Sequence, residues 1–431
     1  VRDTASRVLL DICGNAVSTR DTAYVQSLPS SWDGEGPCTA LGHARRLDAA
    51  GAALVNGTAA HGEDFDDTFE GSPVHAGAPV VPAVLATCER HALPGPRALL
   101  GIVTGMELMC RMTLVAPTAI HRAGFHPTAV IGAMGATLGV ATALGLPPRD
   151  TASALGIAGS MAGGIIEYLA EGTSTKRLHP GWAAQSGIRA ALMARAGFSG
   201  PRTVFEGTHG FFKGFADASI PADLGHLTRD LGGEWLVERI AFKPYACGTM
   251  AQPYIDCAVR LVEQGLDPER VARIDCETGE GIVHRLWEPL AEKHAPSTPY
   301  SAKFSVPYCV AAGLVRRKAG LAEFTEESIR DPGILALAAK VHYVVDPDDE
   351  YPRNYTGHVR VTLDDGSVVE ARQPHMRGGA RERLTMDELA AKARANLLFG
   401  GWDEARAEAL QAVLAGLFEQ DAAVDLSAFA G

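Results

Sequence analysis

The stretch that most constrains this chain is residues 129–145, "AVIGAMGATLGVATALG", which is almost wholly apolar and small and carries no charge. Such a run predicts a buried helix. Gly132, Gly135 and Gly139 would let it approach its neighbours closely. No strand pattern precedes it, so the glycines read as packing and not as a dinucleotide loop. The segment that follows, "PPRDTASALGIAGSMAGGIIEYLA", reads as a further helix with Asp150 as its N-cap. At the start of the chain Ala5, Val8, Leu9, Ile12, Cys13, Ala16 and Val17 fall on one helical face. Through about residue 240 the chain reads as helical and rich in Ala and Gly.

The texture changes after Lys243. "ARIDCET" alternates, with Ala272, Ile274 and Cys276 on one side of a half-exposed strand. "GHVRVTLDDGSVVEAR" reads as a hairpin turning at Asp365-Gly366, and "AKVHYVVD" as another strand. Helix returns at "TMDE", where Thr385 and Glu388 form a capping box, and a last stripe joins Leu410, Val413, Leu414, Leu417 and Phe418. The expected fold is mainly α. Residues 1–240 together with 375–431 form a large all-helical domain, and 241–374 form a smaller inserted α/β domain.

Composition narrows the function. The 431 residues are 46% apolar and 21% charged, with a formal net charge of −12. An acidic surface argues against nucleic acid and anionic membranes as partners. The eight cysteines are scattered without a CxxC pair, which predicts reduced, buried thiols and a cytoplasmic setting. The N-terminal stretch lacks the apolar core of a signal peptide, and no membrane-spanning segment is expected.

Residues 61–79, "HGEDFDDTFEGSPVHAGAP", set five carboxylates between His61 and His75 with no Lys or Arg among them. Phe65, Phe69 and Val74 place the stretch near a core. It reads as one wall of an active site in preference to a solvated loop or a metal site, because no HExxH, EF-hand or CxxC spacing accompanies it. Asp64 is expected to face histidines and lysines. Asp66 and Asp67 are expected to cap helices or pair with arginines. Four more segments pair reactive side chains with turn formers: "AGFHPTAV" with His126, "EGTSTKRLHPGWAAQSG" with Lys176, Arg177 and His179, "AFKPYACGTM" with Lys243, and "YSAKFSVPY" with Lys303, Ser305 and Tyr308. A residue before proline avoids the helical region, so His126-Pro127 and His179-Pro180 should end or redirect local structure. Only eight lysines occur in the chain, and three fall in these segments. A buried lysine can serve as acid, base or point cation.

Taken together, "NGTAAHGEDFDDT", "GFHPTAVIGAMGATLG", "GTSTKRLHPGWAAQSG", "FKPYACG" and "KFSVPY" resemble the MmgE/PrpD family, in the family's order and across nearly the whole chain. That family includes 2-methylcitrate dehydratase, cis-aconitate decarboxylase and iminodisuccinate epimerase. The resemblance implies a large helical domain with a smaller α/β lid, a homodimer, and catalysis without metal or organic cofactor. It implies catalytic roles for Asp64, His75, His126 and Lys176, and substrate-binding roles for Thr68, Lys243 and Tyr308. This chain departs from the usual pattern at Ala76, in "PYACGTM" after Lys243, and at Lys303, where many members carry Gln. Lys303 is therefore a candidate third cation in the pocket, or else a solvent-facing residue.

The family's reactions share one requirement. A carbon beside a carboxylate gains or loses a proton while negative charge builds on that carboxylate. Preorganised cations and donors stabilise the enediolate, and a histidine of tunable pKa carries the proton. The expected function is thus a lyase, a dehydratase or decarboxylase, acting on a small polycarboxylic acid. An epimerase or a non-catalytic member of the fold is the alternative.

Overall fold

The computed structural model describes residues 1–72, 74–351 and 353–431, and these fall into two compact units. The first comprises Val1–Gly62, Asp66–Ala241 and Thr385–Gly431; the second comprises Phe242–Leu384 together with Glu63–Phe65. The chain therefore returns to the helical unit at residue 385 and not at 375, because the residues before Thr385 lie with the sheet of the second unit. The capping box at Thr385 and Glu388 marks that return: each residue's side chain bonds the other's backbone amide, and helix Met386–Phe399 begins there.

The helical unit is built around helix Pro127–Leu144, whose buried residues lie on every side. It runs against helix Gly95–Val115. A Cβ on Gly135 would sit 2.3 Å from Met109 Cγ and 2.8 Å from the Gly105 carbonyl, so glycine is what permits the approach. Gly132 meets Pro79 and Ala183 in the same way. These small faces are used within the unit.

Both helices are long and apolar enough to cross a membrane, which the sequence reading did not anticipate, yet 72% and 78% of their apolar windows are buried inside the protein. Asp150 also differs from expectation. Pro147 is the N-cap of helix Pro148–Met161 and Asp150 lies in its first turn. An acid there still favours the helix dipole.

The two ends of the chain meet in this unit. Helix Arg2–Ser18 packs on helix Met386–Phe399. Asn396 donates to Asn15 Oδ1 at 2.8 Å, and Lys392 pairs with buried Asp11 at 2.7 Å.

The second unit carries a four-stranded sheet in the order Val341–Val345, Val271–Thr278, Gly357–Leu363, Val368–Gln373. The first pair is parallel and the others antiparallel. The hairpin turns where expected, with Gly366 at φ 82°, a conformation glycine adopts without steric cost. Ile274 and Cys276 are buried as read, but Ala272 is exposed, because a register shift between Val271 and Arg273 moves the alternation by one residue. All eight cysteines are buried free thiols.

Candidate active site

Two carboxylates that follow His61, Asp66 and Asp67, lie in the helical unit and hold its local structure. Asp67 accepts from the backbone amides of Ala76 (3.1 Å) and Gly77 (3.0 Å), capping helix Gly77–His91, whose first residues otherwise lack a side-chain cap. A Cβ at position 77 would meet Asp67 Oδ1 at 2.3 Å, so glycine is required there. Burial together with Asp66 and Asp11 pushes the Asp67 carboxyl up to about 8, against the pull of the two amides. Asp67 is thus the helix cap that the sequence suggested.

Asp66 is not a cap. Its Oδ2 lies 2.8 Å from His61 Nδ1 and 3.7 Å from His75 Nδ1, and neither the Asp66 nor the His61 side chain has any exposure. His75 Nδ1 also bonds the Asp67 carbonyl at 2.6 Å, and its backbone amide donates to Thr128 Oγ1. One buried carboxylate is therefore shared between two imidazoles. This corrects the reading of Asp66, which was expected to cap a helix or pair with an arginine.

His126 is the N-cap of helix Pro127–Leu144, as the His-Pro dipeptide implied, and its amide is held by the Gly164 carbonyl at 2.9 Å. His179 behaves differently. Pro180 does not end the helix, which runs from Thr175 to Arg195. So early in a helix, proline removes only the amide that would have bonded the Lys176 carbonyl. His126 Nδ1 and His179 Nδ1 lie 3.0 Å apart. Ring centroids separate His61 from His75 by 4.9 Å, His61 from His126 by 5.7 Å and His126 from His179 by 5.2 Å. Tyr168 stands edge-on to both His126 and His179.

Four imidazoles thus form one cluster. Burial first, then the charges of His61 and Lys176, holds the His126 imidazole well below the usual range and His179 at about 4. Lys176, half-buried in the first turn of the helix that carries His179, supplies positive charge beside them. Thr68 is buried in a short strand paired with Ala241.

Within the second unit a separate knot forms around Glu63–Phe65. Asp64 adopts φ 55°, a left-handed backbone that aspartate tolerates. Lys243, buried, donates to the Asp64 carbonyl at 2.8 Å, and the Tyr300 hydroxyl donates to the Asp64 carboxylate at 2.8 Å. Lys303 is fully buried. It donates to the carbonyls of Glu63 (3.1 Å) and Ala246 (3.0 Å) and pairs with the Glu63 carboxylate at 3.1 Å. Lys303 is therefore neither a free pocket cation nor a solvent-facing residue, since its donors are committed to this knot. Tyr308 is corrected as well. Its hydroxyl donates to the Glu323 carbonyl at 2.6 Å inside the core of the unit, which leaves it no role as a donor to substrate.

No catalytic or binding role was assigned from the sequence to His61, Asp66 or His179, nor was the Tyr300 contact with Asp64 foreseen. His61 and His179 lay inside the quoted motifs, but only tertiary packing brings residues 126 and 179 together.

Among the described residues, His61, Asp66 and His75 are the one set of three whose donor atoms fall within 4.8 Å of one another. His61 Nδ1 is hydrogen-bonded to the Asp66 carboxylate, and His75 Nδ1 to the Asp67 carbonyl. The arrangement is that of a hydrogen-bonded network. Full activity is accordingly expected after EDTA treatment and dialysis, and a loss restored by Zn²⁺ or Mg²⁺ would overturn that expectation.

The helical unit thus holds a cluster of four imidazoles with a buried carboxylate and a nearby lysine. The MmgE/PrpD N-terminal domain profile matches residues 1–222 and the C-terminal domain profile matches residues 245–415. The chain belongs to the MmgE/PrpD family. It is 31% identical to the cis-aconitate decarboxylase of Mus musculus over 81% of this chain and 72% of the relative. It is 27% identical to that of Aspergillus terreus over 91% of this chain and 83% of the relative. It is 24% identical to the 2-methylcitrate dehydratase of Cupriavidus necator over 85% of this chain and 81% of the relative.

Proposed function

We propose that this protein is a lyase acting on a small polycarboxylic acid, of the cis-aconitate decarboxylase or 2-methylcitrate dehydratase type. The carrying observation is the cluster of His61, His75, His126 and His179, with the buried Asp66 carboxylate between His61 and His75 and Lys176 near His126 and His179. Both reactions pass charge onto a carboxylate as a bond at the neighbouring carbon changes. In dehydration the proton leaves that carbon and hydroxide departs from the next. In decarboxylation the carbanion left by CO₂ must be protonated. Dehydration needs an imidazole with a free lone pair, which burial favours at His126, and decarboxylation needs a group that can deliver a proton. Each also needs a cation for the developing enediolate, and Lys176 is the lysine placed for it. A neighbouring donor or cation of this kind contributes ~10²–10³ in rate, and proton transfer from a positioned group ~10²–10⁴. Asp66 supports His75 once that ring carries a proton, because an opposite charge nearby favours the charged form.

The test is incubation with cis-aconitate, 2-methylcitrate and citrate in deuterated water, followed by NMR. Release of CO₂ or formation of an alkene from a hydroxy acid is the expected result. Exchange or inversion at carbon without bond cleavage would make the protein an epimerase. Inertness towards the whole panel would sink the reading.

A further inference from the structure

A pair of imidazoles facing each other through the same kind of nitrogen cannot be symmetric. With His126 Nδ1 and His179 Nδ1 3.0 Å apart, one nitrogen must carry the hydrogen and the other must present its lone pair. A neutral imidazole has one N–H, so the donor ring has a bare Nε2 and the acceptor ring has an Nε2–H. The two rings thus offer one base and one acid side by side, with no net charge. We propose that His179 works with His126 as a single acid–base couple, in which a proton taken at one Nε2 leaves from the other.

The step balances. With His126 as donor, its Nε2 lone pair takes the proton from carbon, and the C–H electron pair stays on the substrate as the enediolate. The Nδ1 proton of His126 passes to His179 Nδ1, and His179 gives its Nε2 proton to water. His126 is then the Nε2–H tautomer and His179 the Nδ1–H tautomer, so the same His126 Nε2 has become an acid. One face of one ring can serve an abstraction and then a delivery, or a delivery alone from the second state.

The surroundings favour a neutral couple. His126 faces His61, at the end of helix Ala49–His61, and lies near His75 in the loop before the next helix. Lys176 lies one turn before His179 on the same helix, and Tyr168 borders both rings. The negative charge of Asp66 is directed at His61 and His75. Both rings of the couple are buried, and both are held below the ordinary imidazole range, His179 at about 4.

The proton path rests on the lyase reading; the tautomer pair does not. Its test therefore begins with the wild-type protein, ¹⁵N-labelled in histidine and free of substrate. The expected result at pH 7 is one Nδ1–H and one Nε2–H imidazole, joined by a ¹⁵N–¹⁵N coupling across the hydrogen bond and both neutral. Two rings in one tautomer, or either ring doubly protonated at pH 7, would overturn the couple. On an acid that the enzyme turns over, His179→Asn should lower kcat tenfold or more with KM within about threefold. It should also slow solvent deuterium exchange into the substrate carbon by at least as much. An unchanged kcat and exchange rate in a folded variant would show His126 to act alone.

Discussion

Asp66→Asn should lower kcat by about 10²-fold or more, the scale of a positioned proton-transfer group, while the variant keeps its melting temperature to within a few degrees. The substitution conserves volume. It removes the carboxylate that lies 2.8 Å from His61 and 3.7 Å from His75. An amide can still accept from His61 Nδ1, so the loop keeps its course, but it cannot stabilise an imidazolium. The loss should therefore appear when His75 must carry a proton and not when substrate binds, leaving KM within about threefold. Steady-state kinetics beside a thermal melt separates the two. An Asn variant with wild-type kcat would show that Asp66 only braces the loop.

Lys303→Met should cost stability and not specificity. The side chain keeps its length but loses every donor, leaving the buried Ala246 carbonyl and the part-buried Glu63 carbonyl without their partner. Unsatisfied buried groups cost ~1–3 kcal/mol each. The ion pair with Glu63 adds less, because the Glu63 side chain retains 21% exposure. A loss of about 3 kcal/mol corresponds to a fall in melting temperature of roughly 6 °C or more for a unit of this size. The relative rates on di- and tricarboxylates should stay as they were. A variant that melts normally but changes its preference among acids would restore Lys303 to the substrate pocket.

These two expectations show where sequence reading succeeds and where it stops. Helix Pro127–Leu144, the hairpin at Gly366 and the capping box at Thr385 were legible because each is a local pattern with a local cause. His75, His126 and Lys176 were legible through their motifs. What the sequence does not carry is which of several adjacent carboxylates turns inward. Asp64, Asp66 and Asp67 lie within four residues and have three different fates: a left-handed bend, a shared imidazole partner and a helix cap. Lys303 and Tyr308 were misplaced for a related reason. A polar residue in a family motif can be retained for a buried backbone bond as readily as for a substrate. Ala272 was misplaced because a bulge shifts a period of two without altering composition.

Residues Glu63–Phe65 belong to the second unit although the residues on either side belong to the first. In modular terms the smaller unit is therefore not a simple insertion. A splice joining Ala241 directly to Thr385 would remove Lys243, Tyr300 and Lys303, stranding Asp64 in its left-handed turn and Phe65 without the apolar cluster that buries it. Residues 242–384 made alone would have the converse defect, a slot where Phe65 belongs. Recombination between relatives can exchange this unit cleanly only if the three-residue segment travels with it. Glu63–Phe65 and the sheet-bearing segment are thus a single heritable part written at two places in the gene.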